Sequence, residues 1–485
     1  MVDDLNLFFD PTRCFIGGEW RVPNGQETLP VENPSTGGAM AEIARGTAAD
    51  VDHAIMAARL ALSDEWGRMP AADRGRLLTR IGHKVAERVE DLARIEAMDV
   101  GKPLKQARAD ALALARYLEF YGGACDKIMG ETIPYLDGYT VYTLREPHGV
   151  TGHIIPWNYP MQIIGRSVVG ALAMGNAVVL KPAEEACLTA IAFAAIAAEA
   201  GLPKGAINVV PGLGEEAGAA LSAHPGIDHV SFTGSVGVGA MVQAAAAANV
   251  IPVTLELGGK SPQLVFADAD LERALPFLVN AGIQNAGQTC SASSRILVER
   301  SRYEEVVTKM SARYDALRVG AAMADLDMGP LVSARQKEIV AGFLDELGAG
   351  RIVGRGEVEL DAPRGGHYLA PALVAEIDPA HRLAQDEIFG PVQVVIPFDD
   401  ETDAIDIANG TGYGLVAGVW TADGGRQMRL AKAIRSGQVF INNYGAGGGV
   451  ELPFGGVGKS GHGREKGMEA LRSFSVLKTV AAWHG

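Results

Sequence analysis

The sequence predicts an α/β protein with two doubly wound parallel sheets and a small separate β element. Strand-length apolar runs alternate with helical segments bounded by Gly and Pro from about 149 to 258, and the same rhythm returns from about 262 to 440. Such alternation is typical of parallel strands covered by helices on both faces. The 485 residues, 48% of them hydrophobic, suffice for two or three domains with large cores. We therefore expect two α/β domains that meet near Glu256.

The segment before the first sheet has helical periodicity. Apolar residues recur every three or four positions within 48–65 and 70–99, and a third such stretch, 103–121, follows Gly101-Lys-Pro103. These patterns predict amphipathic helices, so we expect the front of the chain to consist of helices that pack against the rest of the protein.

Short apolar runs that end in polar or glycine-rich turns predict the strands. The first sheet is expected to contain 150–155, 177–180, 207–210, 229–232 and 253–257. The second is expected to contain 263–266, 295–298, 392–396 and 438–441.

Two further β-prone runs, 140–145 and 474–480, lie outside both sheets. They partly alternate between apolar and polar residues, which predicts a separate small sheet with an exposed edge. An exposed edge favours pairing with another subunit. Two edge strands covered within one chain explain the pattern equally well.

Charge and cysteine usage exclude several classes of partner and site. The chain has 43 basic and 58 acidic residues, a net charge of −15, and no dense Lys/Arg stretch, so nucleic acid and anionic membranes are poor partners. Its four cysteines lie far apart without CxxC pairs, so no metal site or disulfide framework is expected. The acidic start, 1–10, lacks the features of an export signal, and the apolar stretches are too short to span a bilayer. We therefore predict a cytoplasmic location.

Cys290 and Glu256 form the most informative pair of residues in the chain. Cys290 lies among small residues in GQTCSASSR (287–295), and Glu256 precedes a glycine pair in LELGGKSP (255–262). A thiol with a carboxylate able to serve it suits covalent chemistry on a carbonyl, because the thiolate attacks and the carboxylate handles protons or activates water. Alone, each is more often a small buried hydrophobe or a solvated acid.

Three loops at predicted strand ends carry binding signals. In SFTGSVGVG (231–239), Ser235 and the glycines precede a helix that begins near Val236, so backbone N–H groups could hold an anion. Lys181 and Glu184 of KPAE suit the hydroxyls of a ribose, and Asn158 of PWNYP suits an oxyanion. The alternatives are a tight turn, an exposed loop, and an asparagine bonded to its own backbone.

Taken together, these motifs resemble those of the aldehyde dehydrogenase superfamily over about 15–479. The match is specific because many motifs occur in one order. They are PWNYP (156–160), KPAE (181–184), FTGSVGVG (232–239), LELGGKSP (255–262), GQTCSASSR (287–295), EIFGPV (387–392), PFGG (453–456) and KSGHGREKG (459–467).

By this resemblance, Cys290 attacks an aldehyde to form a thiohemiacetal and then a thioester. The Asn158 amide would hold the oxyanion, and Glu256 would activate the water that releases the acid. CoA-acylating relatives commonly lack this glutamate, which argues for water as the acyl acceptor. A cysteine esterase without redox chemistry and a catalytically silent binding protein are the rival classes.

The resemblance also implies the cofactor contacts. Glu184 would repel a 2′-phosphate, so NAD is predicted as the cofactor, with NADP as the alternative. The residues expected to contact it are Lys181 and Glu184 at the adenosine ribose, Ser235 at the pyrophosphate and Glu387 at the nicotinamide ribose, with Gly234, Trp157 and Phe389 as further cofactor contacts.

Two departures from the family pattern bear on protons and substrate. Ser167 stands where many relatives have a lysine linked to proton relay, so a relay through Glu465 must use another route or water. Arg166 stands where succinic semialdehyde dehydrogenases have an arginine, and a guanidinium can bind a carboxylate with two hydrogen bonds. The second arginine of those pockets is replaced by Gln284.

These residues predict a semialdehyde that bears a carboxylate or carbonyl. Arg166 could instead pair with an acidic neighbour. The candidate pocket residues Gln284, Tyr159 and Gln162, with the 445–450 loop, also permit an aromatic or heteroaromatic aldehyde from a degradation pathway.

The family fold implies a Rossmann-like cofactor domain at 1–124 and 148–258 and a catalytic domain at 259–469. A bridging sheet from 125–147 and 470–485 would join subunits into a homodimer or homotetramer.

Overall fold

The computed structural model describes residue 5 and residues 7–445 and 449–485. It contains two large, mostly parallel sheets, each with its own hydrophobic core, and three small antiparallel or parallel sheets. The predicted fold class is confirmed. Parts of the predicted 1–10 start and of the 445–450 loop lie outside the described residues.

The first large sheet has eight strands in the order β2-β1-β9-β8-β7-β10-β11-β21. Its five central strands, from β9 to β11, are parallel, and both edges are antiparallel. The strands are β1 (Cys14–Ile16), β2 (Glu19–Arg21), β7 (Val150–Ile155), β8 (Ala177–Pro182), β9 (Ile207–Val209), β10 (His229–Thr233), β11 (Val253–Glu256) and β21 (Gly461–His462).

The second large sheet has seven strands in the order β15-β17-β18-β13-β12-β19-β20. All are parallel except the edge strand β15. They are β12 (Pro262–Val265), β13 (Arg295–Glu299), β15 (Arg351–Arg355), β17 (Ala372–Ala375), β18 (Val392–Phe398), β19 (Val416–Trp420) and β20 (Gln438–Ile441).

The two β-prone runs outside these sheets pair with each other, as predicted. Along a nine-residue register, β22 lies antiparallel to β6, and β5 completes a three-stranded sheet. The remaining strands form a β3-β4 hairpin and a β14-β16 pair. The bounds are β3 (Thr28–Asn33), β4 (Gly38–Ala44), β5 (Thr132–Ile133), β6 (Tyr139–Pro147), β14 (Arg318–Val319), β16 (Glu357–Val358) and β22 (Ser475–Trp483).

Helices cover both large sheets, and their ends follow local signals. Thr47 and Asp50 form a capping box at the start of α1, and Gly101 ends α4 with φ 88°. The helices are α1 (Ala48–Ser63), α2 (Glu65–Arg68), α3 (Ala71–Glu87), α4 (Val89–Val100), α5 (Leu104–Ala124), α6 (Pro160–Ile163), α7 (Val169–Ala173), α8 (Leu188–Glu199), α9 (Ala219–Ala223), α10 (Val236–Ala247), α11 (Leu271–Ile283), α12 (Tyr303–Asp315), α13 (Ala334–Leu344), α14 (Arg382–Gln385), α15 (Glu401–Asn409), α16 (Gly424–Ala433) and α17 (Gly467–Ser473).

Two predictions about the front of the chain need correction. The helix expected over 70–99 is two helices, because the backbone leaves helical geometry at Arg88, with φ −113° and ψ 21°. The front is also not wholly helical, since 14–44 contains β1 to β4. β1 and β2 have three residues each, which is too short to give a period-2 signal.

Among the described residues, no helix is long and apolar enough to cross a membrane.

Candidate active site

A cavity of about 400 Å³ lies where the carboxyl ends of β7, β10 and β11 face the second sheet. Open α/β sheets bind ligands at this edge because the loops that follow the strands converge there. The first sheet contributes 156–159, 233–235 and Glu256, and the second contributes 289–291, Val416 and Gln438.

Cys290 lies on the cavity wall and is partly exposed, whereas the other three cysteines are buried. Burial of its sulfur among protein atoms raises the pKa of Cys290 to about 11. The Arg166 guanidinium opposes this shift, and the Glu387 and Glu256 carboxylates add to it. Little thiolate therefore exists at neutral pH without a base nearby.

Asn158 is fixed by the loop that carries Cys290. Its Nδ2 donates to the carbonyl of Gln288 at 3.0 Å, and the Asn285 side chain donates to the Asn158 carbonyl at 3.0 Å. An amide nitrogen carries two N–H groups, so one remains to donate into the cavity. The arrangement places this amide on the wall of the same cavity as the Cys290 thiol.

Glu256 is the last residue of β11 and is buried. Within the described residues, neither of its carboxylate oxygens has a hydrogen-bond partner. Burial raises its pKa well above the usual value, the Glu465 charge adds to this, and Arg166 and Arg464 oppose it. Gly455 makes room for the carboxylate, because an added Cβ there would lie 2.7 Å from Glu256 Oε1. The Glu256 carboxylate is therefore a stronger base than an exposed glutamate.

Arg166 lies in a π-helical turn, Ile164–Val168, that joins α6 to α7. Its Nε is 2.6 Å from Glu465 Oε2, and its guanidinium lies 4.8 Å from the centre of the Phe454 ring. The acidic neighbour that the sequence left open is thus Glu465. Arg166 nevertheless lines the cavity, whereas the buried Glu465 does not.

Lys466 also lines this part of the cavity, and the sequence did not predict it. Its Nζ lies 5.9 Å from the Phe454 ring, on which Arg166 also packs. Burial and, as the second cause, the Arg166 charge lower the pKa of Lys466 to about 8. Two cationic side chains therefore face the same part of the cavity.

Three of the residues predicted to contact the cofactor, Trp157, Phe389 and Glu387, lie on the cavity wall. Trp157 and Phe389 make an edge-to-face contact with ring centres 5.4 Å apart. Glu387 accepts a hydrogen bond from the Gly259 N–H at 3.0 Å. Burial raises the pKa of Glu387 to about 7.

Gly234 and exposed Ser235 lie at the start of α10 and also line the cavity. The Ser235 hydroxyl caps the helix by accepting from the Val238 N–H at 3.4 Å. Free N–H groups at this helix start suit an anionic ligand. The helix begins at Val236, as predicted.

Lys181 and Glu184 lie at the end of β8, outside the cavity wall. The Lys181 Nζ is 2.7 Å from Glu184 Oε2, and Glu184 Oε1 accepts from the Gly214 N–H at 3.3 Å. β8 is the neighbour of β7 in the first sheet, so both residues lie on the carboxyl edge that carries Gly234 and Ser235. An elongated ligand could span these groups.

Gln284, Tyr159 and Gln162, which the sequence places in a candidate substrate pocket, line the cavity. Gln284 is exposed. Gln162 donates to Asp110 at 2.6 Å, and the Lys102 ammonium lies 4.0 Å from the Tyr159 ring centre. Both side chains are thus held by residues behind the wall.

The comparison with known proteins decides the family. Residues 20–480 match the family model described as "Aldehyde dehydrogenase family". The chain belongs to this family.

Relatives with curated names match over almost the whole of this aldehyde dehydrogenase. It is 40% identical to human retinal dehydrogenase 2 over 484 residues, 98% of this chain and 92% of the relative. It is also 40% identical to mouse "Aldehyde dehydrogenase, cytosolic 1" over 98% of this chain and 96% of the relative. The protein is therefore an NAD(P)-dependent oxidoreductase of this family.

Solved structures of similar proteins have the same fold. A protein from Burkholderia cenocepacia, described as "Putative Aldehyde Dehydrogenase", is 61% identical with a TM-score of 0.97, covering 98% of this chain and 100% of that one. The NAD+ complex of an aldehyde dehydrogenase from Bacillus cereus is 38% identical with a TM-score of 0.95, covering 99% and 98%.

Sequence reasoning missed three features of this aldehyde dehydrogenase's site: Lys466, Asn285, and the buried side chains behind Glu465. Lys466 directly follows Glu465 in the motif KSGHGREKG. Its backbone adopts a φ of 63°, and nothing in the sequence indicated this conformation. Asn285 precedes Cys290 by five positions and has φ 49°. Asparagine tolerates this left-handed conformation better than most residues, which was the available hint. Among the described residues, no group of three or more His, Cys, Asp or Glu side chains could hold a metal ion.

Proposed function

We propose that this enzyme oxidises an aldehyde to the carboxylic acid with NAD, through a thioester on Cys290. The observation that carries the proposal is the convergence of three side chains at one cavity. Cys290 is on its wall, Asn158 is tied to the loop of Cys290, and the Glu256 carboxylate is buried beside them. A cysteine esterase is the rival from another class. Ester hydrolysis does not require an anion-binding helix start such as that at Ser235.

In the first half-reaction, Cys290 Sγ adds to the aldehyde carbon and forms a thiohemiacetal. The Asn158 amide and the Cys290 N–H stabilise its oxyanion. Bound NAD supplies the acceptor for the hydride that leaves the thiohemiacetal carbon, which becomes a thioester. Glu256 is the base assigned to the thiol proton, because burial raises its pKa and so makes its carboxylate a stronger base.

Before the second half-reaction, Glu256 releases the thiol proton to solvent, and it then takes a proton from water as the water oxygen attacks the thioester carbon. The carbon–sulfur bond breaks, the carboxylic acid leaves, and the proton on Glu256 passes to the Cys290 sulfur to restore the thiol. Glu465 and Arg166, in contact behind Glu256, set the charge around this base.

Glu256→Gln tests this mechanism. Acylation needs no water, and at about pH 10 the thiol ionises without help from Glu256, so there we expect a burst of NADH of about one equivalent per subunit, followed by turnover slowed roughly 10²- to 10⁴-fold. Asn158→Ala is the matched variant, because it should slow the burst itself by roughly 10²- to 10³-fold. Unchanged steady-state turnover in Glu256→Gln would refute the role of Glu256.

The residues present fit an adenine dinucleotide. Ser235 and Gly234 at the start of α10 suit the pyrophosphate, Glu387, Trp157 and Phe389 suit the nicotinamide end, and Lys181 and Glu184 suit the adenosine ribose. The Glu184 carboxylate, held by the Gly214 N–H, favours free hydroxyls over a 2′-phosphate. The similar Bacillus cereus enzyme was solved with NAD+. We expect kcat/KM to be higher with NAD than with NADP, and a strong NADP preference would contradict this.

The substrate proposed is a semialdehyde that bears a carboxylate or carbonyl away from the aldehyde. Arg166 and Lys466 support it, because they place two positive charges along one part of the cavity wall. Arg166 contacts Glu465 on one side, so a substrate carboxylate would approach from the cavity side. The alternative is an aromatic or heteroaromatic aldehyde, for which Tyr444, Phe440 and Phe454 on the wall provide ring contacts.

Lys466→Met tests the substrate. Met has similar length, so the variant removes the charge with little change of shape. We expect kcat/KM for 4-oxobutanoate to fall at least tenfold, whereas kcat/KM for uncharged butanal should hardly change. Arg166→Ala should act in the same direction. Equal effects on both aldehydes would favour the aromatic alternative.

We further propose the domain boundaries given above, a cytoplasmic location and a homodimer or homotetramer joined through the β5-β6-β22 sheet. Several large apolar side chains of this sheet are exposed, including Leu477 and Trp483, which supports the subunit contact. Strand β21 lies within the proposed catalytic stretch 259–469 but pairs with β11, so it links that stretch to the first sheet.

A further inference from the structure

A continuous chain of buried hydrogen bonds leads from Glu465 into the first sheet. Ser231 Oγ donates to Glu465 Oε1 at 2.9 Å, and Ser167 Oγ donates to Ser231 Oγ at 3.1 Å. His153 Nδ1 lies 2.6 Å from Ser167 Oγ, and His153 Nε2 lies 2.9 Å from Thr151 Oγ1. All five side chains are more than nine-tenths buried.

All hydrogen bonds of this chain can form when each donor gives its hydrogen to the next group in the direction of Glu465. A hydroxyl has one hydrogen, and those of Ser231 and Ser167 are used toward Glu465. His153 Nδ1 must then carry the ring hydrogen and donate to Ser167, while its Nε2 accepts from Thr151. Burial lowers the pKa of His153 to about 3, so the ring is neutral and has the single N–H that this order requires.

Both oxygens of Glu465 have a specific neighbour. Oε1 accepts from Ser231, and Oε2 is 2.6 Å from the Arg166 Nε. Tyr117 and Tyr121 of α5 interact electrostatically with Glu465 and stay protonated, because burial raises the pKa of both phenols. The Ser231 hydroxyl and the Arg166 guanidinium therefore fix the position of the carboxylate.

The charge on Glu465 acts on Glu256. After burial, it is the second cause that raises the pKa of Glu256, and Arg166 and Arg464 oppose it. Cys290 also faces Glu256, whose charge raises the pKa of that thiol.

We propose that Ser231, Ser167 and His153 are positioning residues that hold the Glu465 carboxylate beside Arg166 and Glu256, and thereby set the strength of Glu256 as the base in thioester hydrolysis. The inference rests on the proposed role of Glu256. It gives a role to Ser167, the position at which the sequence departs from the lysine of many relatives.

The expected effect has a definite sign. Without the Ser231 hydroxyl, Glu465 loses the donor that fixes its Oε1, so the carboxylate is free to turn away from Glu256. Less negative charge then faces Glu256, so the pKa of Glu256 falls. The acid limb of the hydrolysis rate should therefore move to lower pH, on the order of half a unit to one unit.

The experiment uses the full enzyme with NAD and propanal as the probe. The acyl-enzyme is formed in a rapid-mixing instrument, and its hydrolysis is followed in a single turnover from pH 5 to 9. Ser231→Ala, Ser167→Ala and His153→Leu should each shift the acid limb downward, and Ser231→Thr, which keeps the hydroxyl, should restore it. Ser222→Ala is the matched control, because this buried hydroxyl donates only to the Ala219 carbonyl of α9, outside the chain of bonds.

Profiles that coincide with that of the parent enzyme, or that shift upward, would overturn the inference even if the variants melt at lower temperature. Ser167→Ala and His153→Leu keep the test open should Ser231→Ala fail to fold. Glu256→Gln separates the two proposals. If it hydrolyses the thioester normally, the proposed function fails. If it does not, and Ser231→Ala shows no shift, only this inference fails.

Discussion

Single side chains around Cys290 decide how much thiolate the enzyme contains. The pKa of Cys290 is raised to about 11 by burial, and Arg166 is the group that opposes the rise. The same guanidinium contacts Glu465 and faces Lys466, so one residue influences the nucleophile, the base and the cavity charge together. Substitutions of Arg166 should therefore change more than substrate binding.

Alkylation by iodoacetamide should measure this thiolate in the enzyme without NAD. Because the pKa of Cys290 is near 11, the rate should rise roughly tenfold per pH unit from 7 to 10 without a plateau. Arg166→Gln removes a charge that lowers this pKa, so its rate should be lower at each pH.

Mass spectrometry would locate the label. Cys290→Ser is the control, since Cys14, Cys125 and Cys187 are buried and should react slowly. A plateau below pH 9 would contradict the predicted direction.

At the scale of elements, the π-helical turn Ile164–Val168 positions Arg166 and Ser167. A π-helical turn widens the helix, and such turns often occur at functional sites. The turn packs on α5, where the Tyr117 ring lies against Gly165 so closely that any Cβ would overlap it.

Gly165→Ala should destabilise the protein by about 1–3 kcal/mol, because overpacking forces a shift of the turn or of Tyr117. The melting temperature and kcat should both fall. Gly123→Ala in α5 is the matched control, since nothing lies within 4 Å of its added Cβ. A normal melting temperature in Gly165→Ala would mean that the two elements are not tightly packed.

At the scale of the whole molecule, the three-stranded sheet of β5, β6 and β22 contributes no buried residue to either of the two large hydrophobic cores. Its outer strand, β22, has a free edge, and Trp483 and Leu477 are 71% and 56% exposed. Free edges and exposed apolar side chains favour association.

Leu477→Lys combined with Trp483→Lys should lower the molar mass in light scattering, because two charges would have to be buried in the subunit contact. Leu360→Lys is the control, as Leu360 is 99% exposed outside this sheet. An unchanged mass in the double variant, or a monomeric parent enzyme, would place the contact elsewhere or exclude it.

Much of the architecture was predictable because its signals are local. Parallel strands such as β7 and β10 are buried runs of five or six residues, and each is followed by a recognisable loop. Local signals failed for β1 and β2, which have three residues each, and at Arg88, where two helices meet without a strong breaker.

By itself, the sequence determined the two-sheet α/β fold, the helix start at Ser235, and the candidate residues Cys290, Glu256 and Asn158, because each depends on residue type and spacing within one short segment. Only the tertiary structure decided that Arg166 contacts Glu465, that Lys466 faces the cavity, and that Ser231 links Ser167 to Glu465. Those contacts join residues 64 and 234 positions apart in the last case, and no periodicity or motif specifies which side chains meet across such distances.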